Sequence, residues 1–542
     1  MSGPLFFSFI GSLAICMALI PALMATAGRL QFIDIPGGRK IHPVPIAKVG
    51  GLAFAAGTFA AMLLWAPKDK IVTSSLLGGA VILLFGAWDD RVGLGYRPKF
   101  LGQLLAAIVV VGFGGIHLTT IPFFGESALP LWAAVPLTIF LLIAVMNALN
   151  LADGLDGLAG GLSLLSLVCM AYLAYEAGDW VVMSMMVPVL GGLLGFLRFN
   201  TYPARIFMGD AGSQFLGFYL GVCAIVLTDP MRGPYSPALV SLIWGLPILD
   251  TAGVMIQRLI EGRSPFTADK NHVHHKLLGI GFSHREAVLA IYGIQAALVA
   301  LAYLMRWQSD AVVLGIYGTF AGAILWLFVR GGARPDVSME PVSSDVSSEE
   351  HSLEEARWFS TLPVQLIGLS VSAFLVAAVF LPSNVPVDLG YLAAGLFLLV
   401  AAGGALVSSA RPMLIRAALY VGGTFVLYLI EQSGSGIAAV FHTPLNIFFL
   451  ALTALIMLAI RFGAQHRFQI TPLDYLMVFL AFAIPFLPEM RVGEINLSIL
   501  TAKMIVMFLA FELMLHALAE RLPQFGLVSL WVLFMLGLRA WW

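Results

Sequence analysis

The sequence predicts an all-α, polytopic integral membrane protein. Apolar residues make up 60% of the 542 residues and charged residues only 11%, and the mean hydropathy is +0.94. Apolar runs of about twenty residues, the length at which a helix crosses ~30 Å of hydrocarbon, recur along nearly the whole chain. The runs are continuous, whereas a transmembrane β-barrel would show short strands of alternating polarity. The formal net charge of −1 gives no electrostatic reason to expect a nucleic-acid partner.

About eleven predicted spans occupy the first 330 residues. Their approximate positions are residues 4–26, 48–66, 71–88, 99–115, 129–147, 158–175, 180–197, 213–228, 236–257, 287–305 and 311–329. Residues 331–357 are rich in Ser, Glu and Pro, which predicts a polar cytoplasmic linker. About six or seven further spans follow. We therefore predict a membrane domain at 1–330, the linker at 331–357, and a C-terminal multi-span domain at 358–542 to which no motif assigns a role.

Basic residues in the loops predict the orientation of the first domain. The loops that follow odd-numbered spans contain many Lys and Arg residues, whereas the opposite loops contain only Lys68, Lys70, Arg232 and Arg306. Because short positively charged loops stay on the cytoplasmic side, the N-terminus is expected outside the cell membrane and the linker inside.

Four polar clusters interrupt the apolar sequence, and all four lie on the predicted cytoplasmic side. The first is "AWDDR", with Asp89 and Asp90 at the end of the third span. The other three are "NALNLADGLDG" with Asn147, Asn150, Asp153 and Asp156, "NTYPARIFMGDAGS" with Asn200, Phe207 and Asp210, and "DKNHVHHKL" with Asp269, His272, His274 and His275. Taken singly, each has a structural explanation: a solvated helix end, helix–helix contact, a glycine turn or a polar loop. Taken together they predict a site, because carboxylates at a membrane edge are costly unless paired or liganded.

The chemistry of these groups predicts phosphoryl transfer at the membrane surface. Five carboxylates on one side would repel one another without a cation, and oxygen ligands without cysteine favour Mg²⁺ or Mn²⁺ over zinc. Mg²⁺ usually joins one or two carboxylates to substrate phosphates, and nearby basic residues such as Lys48 and Lys99 suit an anionic substrate. One substrate is expected to enter from the cytoplasm, and the other is expected to be a lipid.

The same motifs, together with "DIPGGRKIHPVPIAKVGGLAF", resemble the polyprenyl-phosphate N-acetylhexosamine-1-phosphate transferases, the glycosyltransferase superfamily of WecA and MraY. The resemblance covers roughly residues 28–290 in the family's order and spacing. It implies transfer of a sugar-1-phosphate from a UDP-N-acetylhexosamine to undecaprenyl phosphate in the bacterial cytoplasmic (inner) membrane, with release of UMP. This reaction initiates a surface polysaccharide such as O-antigen or teichoic acid. The sequences "HVHH" and "DIPGGRKIH" favour the WecA-like branch, and the sugar itself stays open.

The resemblance also implies roles for individual residues. Asp210 would be the chief Mg²⁺ ligand together with Asp156, and Asp89 and Asp90 would handle the lipid phosphate, with one of them taking its proton. Direct attack and a covalent intermediate both remain open. The other predicted catalytic residues are Asp153, Asp156, His272, His274 and His275. The predicted substrate-binding residues are Asn147, Asn150, Asn200, Phe207, Lys48 and Lys99, with Phe207 stacking on the uracil.

An alternative function and the extra C-terminal spans are the two points that the transferase interpretation leaves open. A transporter or flippase of a lipid-linked or small anionic substrate would also explain many spans and intramembrane charges, although a transport site is expected near the bilayer midplane. The spans after residue 358 exceed what the family usually contains, and a homodimer is one role we consider for them. In that region Glu512 lies within "MFLAFELMLHAL", where we expect it to pair with Lys503 or His516, or to serve a pathway.

Overall fold

The computed structural model describes residues 2–36, 44–123, 129–264, 272–330, 357–382, 384–406, 411–432, 437–463, 471–484, 491–492 and 495–541. The chain divides into two compact units, one comprising Pro4–Ser338 and the other Met339–Trp542 with Met1–Gly3. The predicted linker at 331–357 lies almost entirely outside the described residues, and the three-part division of the chain stays a prediction.

The first unit is a bundle of helices with a small two-stranded hairpin. Its helices are α1 (Ser2–Leu30), α2 (Gly50–Trp65), α3 (Lys70–Val92), α4 (Tyr96–Gly112), α5 (Leu131–Ala152), α6 (Leu158–Glu176), α7 (Trp180–Asn200), α8 (Gly209–Leu227), α9 (Val240–Ile243), α10 (Gly245–Ile260), α11 (Val273–Gly279), α12 (His284–Leu304) and α13 (Asp310–Arg330), with a 3₁₀ turn at Pro237–Leu239. The strands β1 (Ile33–Asp34) and β2 (Ile46–Ala47) pair antiparallel. Each of the eleven predicted spans overlaps one of these helices or the α9–α10 pair.

The second unit contains seven helices in the part of the chain that the structure describes. These are α14 (Arg357–Ala378), α15 (Val387–Leu406), α16 (Arg411–Gln432), α17 (Ile437–Gly463), α18 (Pro472–Ala483), α19 (Leu497–Ala517) and α20 (Leu522–Arg539). The short strands β3 (Arg491–Val492) and β4 (Ile495–Asn496) pair antiparallel before α19.

The apolar helices confirm the all-α, polytopic membrane fold. Among the described residues, twelve helices are long and apolar enough to cross a membrane, and several shorter apolar helices accompany them. The ninth predicted span differs from a simple helix, because it bends by 84° between Ile243 and Gly245. The bend coincides with Gly245 and Pro247, residue types that disfavour an uninterrupted helix.

Helix α8 is the almost completely buried centre of the first unit, where it packs against α2, α3 and α5. Small residues allow close contact on two of its sides. A Cβ at Gly51 would lie 2.4 Å from the Gly212 nitrogen, and a Cβ at Gly86 would lie 2.4 Å from the Ala211 Cα. The N-terminus of α8 is therefore held closely against α2 and α3, and it is at this end that the polar motifs converge.

Ion pairs are buried in the second unit, between α16 and α19. Glu512 lies 3.3 Å from the Arg416 Nε and 3.6 Å from the His516 Nε2, and Lys503 pairs with Glu431. Of the two expected partners, His516 is found beside Glu512, whereas Lys503 pairs with Glu431. Arg416 of α16 is a further partner, which the local sequence around Glu512 does not reveal.

Candidate active site at one end of the first unit

The N-terminus of α8 carries Asp210 in its first turn and receives a second carboxylate from α3. Asp90 accepts hydrogen bonds from the backbone N–H groups of Asp210 and Ala211, both at 2.9 Å. A carboxylate is favourable there because the first N–H groups of a helix have no partner within the helix and carry partial positive charge. Gly209 makes the approach possible: its φ is +69°, and a Cβ would lie 2.4 Å from the Asp90 Oδ2.

Lys99, from the first turn of α4, joins the carboxylates of α3 and α8. Its Nζ lies 2.9 Å from the Asp210 Oδ2 and 2.5 Å from the Asp89 Oδ2. The Asp210 contact is a hydrogen bond, whereas the Asp89 Oδ2 has no partner in hydrogen-bonding geometry among the described residues; that second contact is an ion pair by distance alone. The other Asp89 oxygen accepts the Leu94 N–H at 2.5 Å.

A second ammonium group reaches the site from the β1–β2 hairpin. Lys48, directly after β2, places its Nζ 3.8 Å from the Asp90 Oδ1 and 4.0 Å from the Asp34 Oδ1. A parallel bridge between Ala47 and Ile206 ties the hairpin to the loop that precedes α8. Both predicted substrate-binding lysines therefore lie among the predicted catalytic carboxylates.

Two asparagines from α5 contact neighbouring helices at successive levels. The Asn150 Nδ2 donates to the Asp210 Oδ1 at 2.5 Å and to the Ser213 Oγ at 2.8 Å. One turn deeper, the Asn147 Nδ2 donates to the Gln103 Oε1 at 2.9 Å and to a carbonyl of its own helix. Asn150 thus orients Asp210 directly, whereas the Asn147 amide faces Gln103.

The turn between α5 and α6 is tied to the loop between α7 and α8. Asp156 accepts the Ala204 N–H at 2.9 Å. Asn200 accepts the Gly157 N–H at 3.0 Å and donates to the Ile206 carbonyl at 2.9 Å. Asn200 is almost fully buried, so its amide holds the two loops of the site in register.

Asp153 is the carboxylate of this turn with the most unusual environment. Its side chain accepts no hydrogen bond that the structure records within the described residues, and burial raises its pKa to about 8, with the carboxylates of Asp210, Asp90 and Asp156 raising it further. A carboxyl group whose pKa is raised by burial and by neighbouring carboxylates is typical of functional sites.

The histidines pack onto the same turn from α11. The rings of His272 and His274 stack with centroids 5.7 Å apart, and those of His274 and His275 lie 4.3 Å apart. A Cβ at Gly154 would lie 2.3 Å from the His274 Nε2. Burial, and then the neighbouring His275, lower the pKa of His274 to about 4, so this ring is neutral at physiological pH.

Sequence reasoning missed four polar residues around the site. Gln103 and Gln214 hydrogen-bond each other at 3.1 Å beneath the carboxylates, and Asp250 binds His272 at 2.9 Å. His284 accepts the Asp156 N–H at 3.2 Å and stacks on Tyr202. For Gln103 and Asp250 the local signal is a lone polar residue inside an apolar run. Gln214 directly follows "GDAGS", and His284 lies in the polar start of α12.

The site brings most of the predicted residues together. Phe207 is half-buried beside Asp210 in sequence, and its backbone N–H and carbonyl bond to Ala47 and Gly50. Asp269 lies outside the described residues. Within the described ranges no three His, Cys, Asp or Glu side chains form a ready-made metal site. The individual roles assigned to the site residues stay predictions.

This fold and this arrangement define a multi-pass membrane protein with a polar site, rich in carboxylates and cations, at the ends of its helices. Comparison with known proteins identifies the family. The sequence model of glycosyl transferase family 4 matches residues 72–228. A Bacillus subtilis protein named as a probable undecaprenyl-phosphate N-acetylglucosaminyl 1-phosphate transferase is 36% identical over 325 residues, which are 60% of this chain and 89% of that protein.

Two further relatives agree with this assignment. A decaprenyl-phosphate N-acetylglucosaminephosphotransferase of Mycolicibacterium smegmatis is 33% identical over 348 residues, covering 58% of this chain and 85% of its own. An undecaprenyl-phosphate alpha-N-acetylglucosaminyl 1-phosphate transferase of Escherichia coli K12 is 30% identical over 291 residues, covering 52% and 78% respectively. The chain belongs to glycosyl transferase family 4, in the superfamily of polyprenyl-phosphate N-acetylhexosamine-1-phosphate transferases.

Proposed function

We propose that the protein transfers N-acetylhexosamine-1-phosphate from a UDP-sugar to undecaprenyl phosphate, releasing UMP and forming a lipid-linked pyrophosphoryl sugar. Family membership supports the reaction class, since the relatives carry polyprenyl phosphate and N-acetylglucosamine in their names. UDP-N-acetylglucosamine is therefore the first donor to test. The product would initiate a surface polysaccharide.

The observation that carries the proposal is the junction of α3, α4, α5 and α8. There Asp89, Asp90 and Asp210 lie within ion-pair or hydrogen-bonding distance of Lys48, Lys99 and backbone N–H groups. Phosphoryl transfer depends mainly on positioning the reacting groups and compensating their charge. Lys99 pairs with Asp89 and Asp210 in the free protein, and this ammonium is placed to turn toward an incoming phosphate.

The carboxylate set also suits Mg²⁺, or Mn²⁺ in its place. The carboxylates supply hard oxygen donors, and Asp153 lacks a hydrogen-bond partner among the described residues while neighbouring carboxylates repel its charge. Since Mg²⁺ takes one or two protein carboxylates and completes its shell with water and phosphate oxygens, a full protein cage is not required. Asp210 and Asp156 would hold the ion, which when bound would neutralise the pyrophosphate.

The position of the site supports a proposal for the membrane in which the protein lies and for its orientation there. The reactive groups lie at the ends of α3, α5 and α7 and at the starts of α4, α6 and α8, which is the face that basic loops predict to be cytoplasmic. We therefore infer a bacterial cytoplasmic membrane protein with its N-terminus outside, receiving the nucleotide sugar from the cytoplasm and the polyprenyl phosphate from the bilayer. A transport site threading the midplane is not what this arrangement favours.

The test is UMP release by the purified full-length protein in detergent, with undecaprenyl phosphate, MgCl₂ and a panel of UDP-sugars. We expect release with one UDP-N-acetylhexosamine, none when the lipid phosphate is omitted, and loss of activity after chelation that added Mg²⁺ restores. Absence of release with every donor, from protein with a cooperative thermal transition, would contradict the transferase and bring the transporter forward.

A further inference from the structure

Asp250 is an intramembrane carboxylate to which neither the motifs nor the proposed chemistry gives a role. It lies on α10, the second half of the bent ninth span, in the sequence "GLPILDTAG". Its side chain is 11% exposed. A carboxylate at such a depth persists only where its charge is compensated or fully hydrogen-bonded.

Both Asp250 oxygens bind the start of α11. The Oδ2 lies 2.9 Å from the His272 Nδ1, and the Oδ1 accepts the Val273 N–H at 2.8 Å. His272 itself is the residue that precedes α11, and its side chain caps no N–H of that helix. Asp250 therefore fixes both the backbone and the ring of His272 from a different helix.

The contact determines which ring nitrogen of His272 carries the proton that Asp250 binds. An ionised carboxylate only accepts hydrogen bonds, so the proton must reside on Nδ1. Nε2, on the opposite side of the ring, is not bound by Asp250, and it donates a hydrogen bond only when the ring carries a proton on both nitrogens. The stacked His274 lies against Gly154 of the α5–α6 turn, which brings the cluster to the carboxylates.

Resting on the proposed transferase function, we propose that Asp250 is a positioning residue: it holds the His272 ring through Nδ1, so that the imidazolium form of His272 donates from Nε2 to the pyrophosphate of the UDP-sugar. Asp250 touches neither substrate, and its effect passes through His272. Partners of this kind behind a functional histidine typically contribute about 10- to 100-fold.

Four variants of the full-length protein separate this role from simple anchoring, with UMP release at varied UDP-sugar concentration as the readout. Asp250→Asn is expected to lower kcat/KM for the donor by about 10- to 100-fold, since the amide removes the negative charge that the His272 ring binds. His272→Asn keeps an amide N–H at the Nδ1 position, and with it the Asp250 bond, but lacks Nε2. It is expected to be as inactive as His272→Ala. Asp310→Asn is the matched control, because Asp310 also accepts a backbone N–H, that of Phe123 at 3.0 Å, from outside the site.

A double variant decides whether Asp250 acts through His272. If it does, adding Asp250→Asn to His272→Ala costs nothing further. The proposal is overturned if the two losses multiply, if Asp250→Asn alone matches the wild type, or if His272→Asn regains wild-type turnover. Should Asp250→Asn fail to fold, the comparison of His272→Asn with His272→Ala still decides it. Wild-type protein without UMP release would instead contradict the transferase function.

Discussion

Replacing Gly209 by alanine tests the architecture of the candidate site. Gly209 has a φ of +69°, a conformation that costs a residue with a Cβ about 1–2 kcal/mol. The added Cβ would lie 2.4 Å from the Asp90 Oδ2 and 2.6 Å from its Oδ1, well inside contact distance. The Asp90 carboxylate must therefore leave the α8 N-terminus or push α8 away from α3.

The magnitude follows from the bonds at risk. Asp90 accepts two backbone hydrogen bonds at 2.9 Å, and bonds to a charged group contribute about 1.5–3 kcal/mol each. Their loss adds an upper limit of ~3–6 kcal/mol to the conformational cost. Because a displacement of about 1 Å in a reacting group costs about 100-fold in rate, we expect turnover to fall by at least about that factor.

Gly178→Ala is the matched control for this prediction. Gly178 has the same φ of +69°, but nothing lies within 4 Å of the position of its Cβ, and it lies between α6 and α7 at the opposite ends of those helices from the site. Thermal unfolding in detergent and UMP release would be measured for both variants. Equal loss of activity in the two proteins, or wild-type turnover in Gly209→Ala, would refute the role assigned to the Asp90 contact.

Three further predictions address charge. Asp210→Asn should abolish turnover in inserted, folded protein. Asp179→Asn, at the N-terminus of α7, is the control and should retain turnover. An active Asp210→Asn variant would contradict the assignment of Asp210 as a metal ligand. The pKa of His274 is about 4 in the folded protein and about 6.5 in the unfolded chain. Because the unfolded chain binds more protons between these two values, the folded protein loses up to about 3 kcal/mol of stability as the pH falls from about 6.5 to about 4. The accompanying drop in Tm should be smaller in His274→Gln than in the wild type. Lys503→Met should lower the free energy of unfolding by about 3–5 kcal/mol, because it leaves Glu431 buried without its cation. The double variant Lys503→Met with Glu431→Gln should recover most of the lost Tm. Equal Tm values for the single and double variants would exclude the Lys503–Glu431 pair as the cause.

Much of the fold was predictable because the bilayer imposes a length on every span. A helix must remain apolar for about 20 residues to cross, so the span positions could be read from hydropathy. The bend between Ile243 and Gly245 was not predicted, although Gly245 and Pro247 lie beside it, because hydropathy locates a span but does not show a change of direction within it.

The site was predictable where polar residues cluster in the sequence and unpredictable where a polar residue stands alone in an apolar run. Asp89, Asp90 and Asp210 are recognisable because a carboxylate at a membrane edge requires an explanation. Gln103 gives no such signal, since a single amide in an apolar helix is tolerated wherever a partner exists. Its partners come from α5 and α8, more than forty residues away in either case, so only the tertiary structure reveals them.

Three side-chain amides, those of Gln103, Gln214 and Asn147, form a layer beneath the carboxylates. This amide layer explains why the carboxylates and Lys99 meet. Gln103 is one turn beyond Lys99 on α4, Gln214 is one turn beyond Asp210 on α8, and Asn147 is one turn before Asn150 on α5. The Asn147 amide donates to Gln103, and Gln103 donates to Gln214. These two hydrogen bonds therefore fix the rotation of α4, α5 and α8 relative to one another. A one-residue change in register would rotate a side chain by about 100° and leave buried amides unsatisfied, at about 1–3 kcal/mol each. The amide layer thus fixes the relative positions of α4, α5 and α8. Because it lies one turn below Lys99 and Asp210, it allows these flexible ammonium and carboxylate groups to meet at one point.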